Sequence, residues 1–300
     1  MIRIGSRGSK LALWQAEFVA EALRGRGHEV EIVIIRTRGD QIQDRPLPSV
    51  GGKGLFTAEI ESSLTEKHID LAVHSLKDLP TEIAPEFTLA AIPAREDARD
   101  VLLALTPLNV ASLPIGATVG TSSPRRQGQL LALRNDLQMQ SIRGNVDTRI
   151  RKLERGEADA IVLAAAGVNR LGLEKYVREH IDPEHVCPCP GQGALAVECR
   201  SEDAATRDAL AFLDDTPTRT AVEIERDILS GLGGGCSIPV GVHCVPQGEG
   251  HRVWAAVCSP DGRELVRLEH AGREGAEELV QMMVGRLQRE GAEMILANRS

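Results

Sequence analysis

Apolar and polar positions follow one another in two rhythms, and the switches between them mark the elements. Ile2-Arg3-Ile4-Gly5-Ser6 reads as a short strand, after which Leu11, Trp14, Phe18 and Ala22 recur at helical spacing, as the buried stripe of one helix would. Val30-Glu31-Ile32-Val33-Ile34-Ile35 is a β-branched strand. Gly39 to Gly54, with Pro46, Pro48 and Gly51-Gly52-Lys53-Gly54, reads as a loop long enough to carry function. A helix from Leu55 to about Lys67 and the strand Leu71-Ala72-Val73-His74 follow. Past Pro93 the polar run Ala94–Asp100 reads as a hinge, and the alternation restarts. Thr118–Thr121 leads to a helix Pro124–Leu133, and Met139–Ile142 to a helix Val146–Arg155. Ala160–Ala166 is almost uninterrupted apolar sequence, as expected of a central parallel strand covered on both faces. After the break Cys187-Pro188-Cys189-Pro190-Gly191-Gln192-Gly193, Ala194–Cys199 reads as a strand returning to the first domain. A helix near Pro217–Leu229, strand-rich sequence from Ile238 to Leu268 and a helix near Glu274–Arg289 form a smaller α+β unit.

The pattern predicts an α/β protein: two parallel-sheet domains around a cleft, plus a smaller C-terminal α+β domain. Domain 1 is expected at 1–94 and 194–214, domain 2 at 99–189 and domain 3 at 217–300. Ligands of such sheets sit outside the C-terminal strand ends. Composition narrows the class. With 300 residues, 42% of them apolar, the chain can bury more than one core. A net charge of −8 argues against bulk binding to nucleic acid or anionic membrane, and 2% aromatic residues leave little for base stacking. No apolar run approaches the ~18 residues of a membrane helix. The N-terminus enters a strand directly, and six scattered cysteines make no disulfide scaffold. The expectation is a soluble, cytoplasmic globular protein.

Charge is not spread evenly. Between Thr121 and Arg170 stand eight arginines and one lysine against five acids. In Thr121-Ser122-Ser123-Pro124-Arg125-Arg126 small hydroxyl residues close a strand, Ser123 is a natural N-cap and Pro124 suits the first helical position. Arg143-Gly144-Asn145 repeats the device, with Arg149 one turn into the next helix, and Arg170 follows the apolar strand. Guanidinium groups bind carboxylate or phosphate bidentately, so the cluster points to a ligand with several anionic groups. An ordinary capped helix with solvated arginines would show the same local signs. His74-Ser75-Leu76-Lys77-Asp78 ends a strand of the first domain, where a carboxylate could act as acid or base or face a cation; a surface Lys–Asp pair is the plainer reading. Cys236 ends a glycine run on a loop, as an attachment site or nucleophile would, or as a passive cysteine. Cys187 and Cys189 lack partners at zinc spacing, and no metal site is expected. Cys199, Cys244 and Cys258 fall on apolar strands as core, and the histidines outside these motifs read as surface or capping residues.

Taken in order, these segments resemble the porphobilinogen deaminase family, also called hydroxymethylbilane synthases. The resemblance rests on Ile4-Gly5-Ser6-Arg7-Gly8-Ser9-Lys10-Leu11, Gly51-Gly52-Lys53-Gly54-Leu55-Phe56, His74-Ser75-Leu76-Lys77-Asp78, Val119-Gly120-Thr121-Ser122-Ser123-Pro124-Arg125-Arg126 and Arg143-Gly144-Asn145-Val146-Asp147-Thr148-Arg149. It continues through Leu163–Arg170, Pro190-Gly191-Gln192-Gly193-Ala194 and Leu232-Gly233-Gly234-Gly235-Cys236-Ser237-Ile238-Pro239. It implies two periplasmic-binding-protein-like domains and a monomeric transferase of haem and porphyrin biosynthesis. Its reaction joins four porphobilinogen molecules head to tail into hydroxymethylbilane, with loss of ammonia. It implies a dipyrromethane cofactor held by thioether to Cys236. Lys77, Thr121, Ser123, Arg125, Arg126 and Gly144 match positions that hold its acid groups, and Arg7, Ser75, Arg143, Arg149, Arg170 and Gln192 match the substrate side. Asp78 matches the catalytic acid, which touches the cofactor as well, assists loss of the amine and stabilises the azafulvenium cation. Lys53 matches a mobile lid. Cys187 and Cys189 depart from the family pattern next to the Gly191-Gln192-Gly193 hinge.

Two other classes use parts of the same sequence. A solute-binding or effector-sensing protein would need the arginines and not Cys236. A cysteine-dependent acyl transferase would pair Cys236 with His243, which nothing in the sequence orients.

Overall fold

The computed structural model describes residues 1–37, 57–234 and 238–298. The Gly39–Gly54 loop, with Lys53, and Cys236 lie outside the described residues, apart from the flanks of the glycine run around the cysteine. The chain divides into two compact units: residues 1–96 with 194–219, and residues 97–193 with 220–298 of those described.

Unit 1 begins with β1 (Ile2–Ser6), α1 (Lys10–Arg24), β2 (Val30–Ile34), α2 (Ala58–Thr65), β3 (Leu71–Ser75) and β4 (Phe87–Ala91). Unit 2 continues with β5 (Asp100–Ala104), β6 (Thr118–Gly120), α3 (Pro124–Leu133), β7 (Gln138–Gln140), α4 (Val146–Glu154), β8 (Ala160–Ala164), α5 (Ala165–Arg170) and β9 (Val177–Ile181). The chain returns to unit 1 for β10 (Leu195–Arg200) and α6 (Ala204–Leu210), and α7 (Thr216–Gly231) leads back. The C-terminal part of unit 2 has β11 (Val240–Gln247), β12 (Gly250–Cys258), β13 (Leu265–Gly272), α8 (Ala276–Arg289) and α9 (Ala292–Ala297).

Three sheets result, ordered β2-β1-β3-β10-β4, β7-β6-β8-β5-β9 and β11-β12-β13. The α/β class is as expected, but the larger sheets are mixed. β10 runs antiparallel to β3 and β4, and β5 antiparallel to β8 and β9. Both strands follow a crossing from the other unit, so no covering helix of their own unit brings them round in the parallel sense.

Side-chain alternation explains the continuous apolar runs. In β8, Ala160 and Val162 join a core with Leu102, Val119 and Leu130, whereas Ile161 and Leu163 join another with Val101, Leu103 and Ile142. Each fully buried Leu, Ile or Val contributes about 1.5–3 kcal/mol, so two covered faces hold a five-residue strand firmly. The strand stops at Ala164, two residues short of the apolar run, because three successive alanines favour the helix that starts at Ala165.

One expectation fails in α1. Its buried face is Ala12, Gln15, Ala16, Val19, Ala20 and Leu23, while Trp14 and Phe18 are 39% and 38% exposed and stack on each other. Two stripes interleave at helical spacing here, and the one with small residues lets the helix approach the sheet closely. In the C-terminal part, α7, α8 and α9 supply Ile228, Met283 and Ile295 to a core closed by Val242, Val253 and Val266 of the three-stranded sheet. The turn after β12 sits tight on α3: a Cβ on Gly128 would lie 2.3 Å from the Ser259 carbonyl oxygen.

Candidate functional site: an arginine pair in unit 2 and an acidic turn in unit 1

In unit 2, β6 ends at Gly120 and the next residues turn into α3 as their chemistry dictates. Ser123 has extended backbone and its hydroxyl accepts from Arg126 N, with Pro124 at the first helical position. Thr121 Oγ1 accepts from Ser123 N at 3.2 Å. Arg125 and Arg126 then leave the first turn inward, only 4% and 6% exposed. Both meet Asp100, the fully buried first residue of β5. Arg125 Nη1 donates to Asp100 Oδ2 at 2.7 Å, and Arg126 Nε to Asp100 Oδ1 at 2.9 Å. Burial alone would push the Asp100 carboxyl upward; the charges and hydrogen bonds of Arg125 and Arg126 overcome it and hold the group far below the usual carboxylate range. Burial likewise works against the Arg125 charge, and Asp100, with the nearby Cys189 and Cys187, more than restores it.

Among the described residues, the other hydrogen-bond acceptors of this pair are neutral. Arg125 Nη1 also donates to the Cys187 carbonyl at 2.6 Å, and Arg126 reaches Val162 O at 3.2 Å and Gln192 Oε1 at 3.3 Å. Gln129 bonds the Cys187 backbone on both sides, donating to its carbonyl at 3.1 Å and accepting from its N–H at 2.7 Å. Cys187 is thus a buried structural residue whose thiol burial pushes up, and among the described residues no cluster suited to a metal occurs.

Gln192, expected on the substrate side, is fully buried and donates to Asp100 Oδ1 at 2.9 Å and Ala98 O at 2.7 Å. Gly191 and Gly193 flank it at φ +72° and +88°, a conformation that favours glycine. Gly144, at φ +111°, makes the turn before α4, and Arg149 Nε donates to its carbonyl at 2.7 Å. Arg143 is half-buried on the same turn. Arg170, in the last turn of α5, donates to Gly193 O at 2.8 Å.

In unit 1, β1 leads through half-buried Arg7 to Ser9, the cap of α1. β3 ends at Ser75, whose hydroxyl accepts from buried Gln15 Nε2 at 2.8 Å, and a single 3-10 turn, Leu76–Asp78, follows. Leu76 is pinned inside, its N–H donating to Ala194 O at 3.0 Å, which leaves Lys77 half-buried and Asp78 exposed. One residue before Ser75, His74 Nε2 lies 3.0 Å from Glu198 Oε2, both buried.

Sequence reasoning passed over Asp100, Gln15 and Glu198. A lone acid heading the apolar run Val101-Leu102-Leu103-Ala104 was a usable sign, because a buried carboxylate requires a cation. His243 is corrected: it is buried, stacked on Trp254 at 5.7 Å, with Nδ1 3.3 Å from Glu225 Oε1. A neighbouring strand and α7 enclose it, so it is neither a surface nor a capping residue.

Two guanidinium groups buried against one carboxylate make the second half of this α/β protein a domain with a surplus of buried positive charge. They also fit a ligand rich in carboxylates such as dipyrromethane, since an acid group would supply the missing counter-charge. Comparison with known proteins makes the class particular. Residues 2–208 match the family model described as porphobilinogen deaminase, dipyromethane cofactor binding domain, and residues 219–288 match the porphobilinogen deaminase C-terminal domain. A porphobilinogen deaminase of Nitratidesulfovibrio vulgaris (Miyazaki F) is 52% identical over 249 residues, covering 82% of this chain and 78% of that one. That of Pelobacter propionicus is 46% identical over 298 residues, covering 98% and 96%. Among solved structures, a putative methionine-binding lipoprotein of Bacillus subtilis aligns with a TM-score of 0.43 and 14% identity, over 72% of this chain and 91% of that one, a distant likeness that says nothing about the ligand. The chain belongs to the porphobilinogen deaminase family. It is a transferase of tetrapyrrole biosynthesis that acts on porphobilinogen and uses a covalently attached dipyrromethane cofactor.

Proposed function

We propose that the two units divide this reaction by charge. Arginines of unit 2 hold the acid groups of the cofactor and of the growing product, and Asp78 of unit 1 handles the cationic stage of the substrate. The carrying observation is the buried Arg125–Arg126 pair, which among the described residues has a single carboxylate, Asp100, in its hydrogen-bonded set. Thr121, Ser123, Lys77 and Gly144 complete the cofactor's polar surroundings in this reading, with Arg7, Arg143, Arg149 and Arg170 toward substrate. Gln192 and Ser75 serve as supports, since their side chains bond Asp100 and Gln15. When bound, dipyrromethane supplies a pyrrole carbon nucleophile from its place on Cys236.

Asp78 keeps the substrate's aminomethyl group protonated while the carbon–nitrogen bond breaks, so that ammonia departs and an azafulvenium cation remains on the substrate. The ionised carboxylate then faces that cation, an anion fixed in advance where positive charge develops. The bond from Gln15 to Ser75 and that from Leu76 N–H to Ala194 O steady the turn that presents it. We take the chain to act as a monomer in the cytoplasm, without nucleic acid or membrane. Cys187, Cys189, Cys199, Cys244 and Cys258 are not in disulfides, which suits a reducing compartment, and no helix among the described residues is long and apolar enough to cross a membrane.

Intact mass and turnover test the reading. Purified protein is expected to exceed its chain mass by two pyrrole units and to consume porphobilinogen, and Cys236→Ser is expected to lose both properties. A bare mass together with no consumption of porphobilinogen would overturn it.

A further inference from the structure

Around the first turn of α3 the buried polar side chains converge on the carboxylate of Asp100. Asp100 receives hydrogen bonds from Arg125 Nη1 at 2.7 Å, Arg126 Nε at 2.9 Å and Gln192 Nε2 at 2.9 Å. A carboxylate present only to cancel a buried cation would match one guanidinium; this one is shared between two, and carbonyl and amide oxygens orient the remainder without neutralising it. Asp100 stands three residues after the chain enters unit 2 at Asp97, and Gln192 two residues before it leaves at Ala194. One side chain therefore ties two of the chain's three crossings to the first turn of α3.

We propose that Asp100 is a positioning residue of the cofactor site: it fixes the bearing of Arg125 and Arg126 and leaves the pair one negative charge short, so that an acid group of dipyrromethane completes it. The proposal rests on the reading of the arginines given under Proposed function. Asp100 touches neither substrate nor cofactor in this role and acts through the two guanidiniums. Without it, the pair depends wholly on the cofactor for its counter-charge, so the cofactor's contribution to stability grows.

Four chains test this by thermal melting and intact mass: the natural sequence, Asp100→Asn, Cys236→Ser and the double variant. A natural chain lacking the mass of two pyrrole units would bring down the functional reading, and this proposal with it. With the cofactor present, the loss of Tm caused by Cys236→Ser is expected to be about twofold larger in the Asp100→Asn background. Equal losses in the two backgrounds would reduce Asp100 to a structural plug and overturn the proposal alone. If Asp100→Asn yields no folded chain, Asp100→Glu keeps the charge and moves it by one methylene. Its folded fraction is expected to carry the cofactor in about half of its molecules or fewer, because such a site tolerates displacements of only ~0.5 Å. Full loading of that variant would overturn the proposal.

Discussion

The two five-stranded sheets share one plan and treat charge in opposite ways. Each has three parallel strands, β2-β1-β3 in unit 1 and β7-β6-β8 in unit 2, then a strand that has crossed over, then a fifth. The middle strand of each parallel trio, β1 and β6, leads to a serine-capped helix, through Ser9 in one and Ser123 in the other. In unit 1 the crossing strand carries Glu198, buried against His74; in unit 2 it opens with Asp100, buried against Arg125 and Arg126. Unit 1 sets one carboxylate against one imidazole, while unit 2 sets one carboxylate against two guanidiniums, which stay charged, and so keeps a surplus of positive charge. At the third strand ends the contrast reverses outward: unit 1 presents the exposed acid Asp78 and unit 2 presents Arg170. In the proposed reading, a common backbone plan thus serves a cationic intermediate in unit 1 and polyanions in unit 2, with the difference written in a few side chains at equivalent strand ends.

The largest effect that would break this contrast lies at Asp78. Asp78→Asn keeps shape and removes charge, so turnover of porphobilinogen is expected to fall about 10²–10³-fold, as for loss of a group aimed at developing charge. The exposed side chain anchors no core, so Tm and the cofactor mass should stay as they are. Near-normal turnover would remove unit 1 from the cationic step. Next comes the buried pair of each sheet. Asp100→Leu strands two guanidiniums and should cost about 3–5 kcal/mol. Glu198→Leu removes the buried hydrogen-bond partner of a single His74, and should cost about 1–3 kcal/mol. Urea midpoints of the two variants measure the difference, and equal losses would show that the sheets do not differ in how they carry charge.

What was legible in the sequence follows the range of the forces involved. The bounds of α3 agree to the residue, because a serine cap and a proline at the first position act within one turn. Strand direction was not legible: nothing inside Asp100–Ala104 or Leu195–Arg200 records where the chain enters the sheet. The buried face of α1 was misread since two stripes fit the same period, and only the sheet beneath selects the one with Ala12, Ala16 and Val19. At the site, arginine types pointed to carboxylates, but a partner 25 positions away in the chain, Asp100, had to be found by the fold. His243 shows the same limit, since Trp254 and Glu225 reach it from other elements.

The smallest expected effect separates the crossing strands by pH. Burial, helped by Asp203, raises the Cys199 thiol on β10 to about 11, above the ordinary thiol. A raised folded value means stability that is complete below the unfolded thiol's pKa of about 8.5 and is lost as pH climbs toward the folded value. Asp100 on β5 is depressed instead, so its contribution is complete above the unfolded carboxylate's pKa of about 3.9 and is lost only in acid. Cys199→Ala should therefore flatten part of the fall in Tm between pH 8.5 and 11 and leave the acid limb unchanged. Cys258, raised to about 11 in the C-terminal sheet, and Cys187, pushed up further by burial, keep part of the alkaline slope in place. Melting curves across both limits check the assignment. An alkaline limb identical in the natural chain and Cys199→Ala would mean that the buried thiol on β10 ionises without unfolding its strand, and the pH contrast between the two crossing strands would be lost.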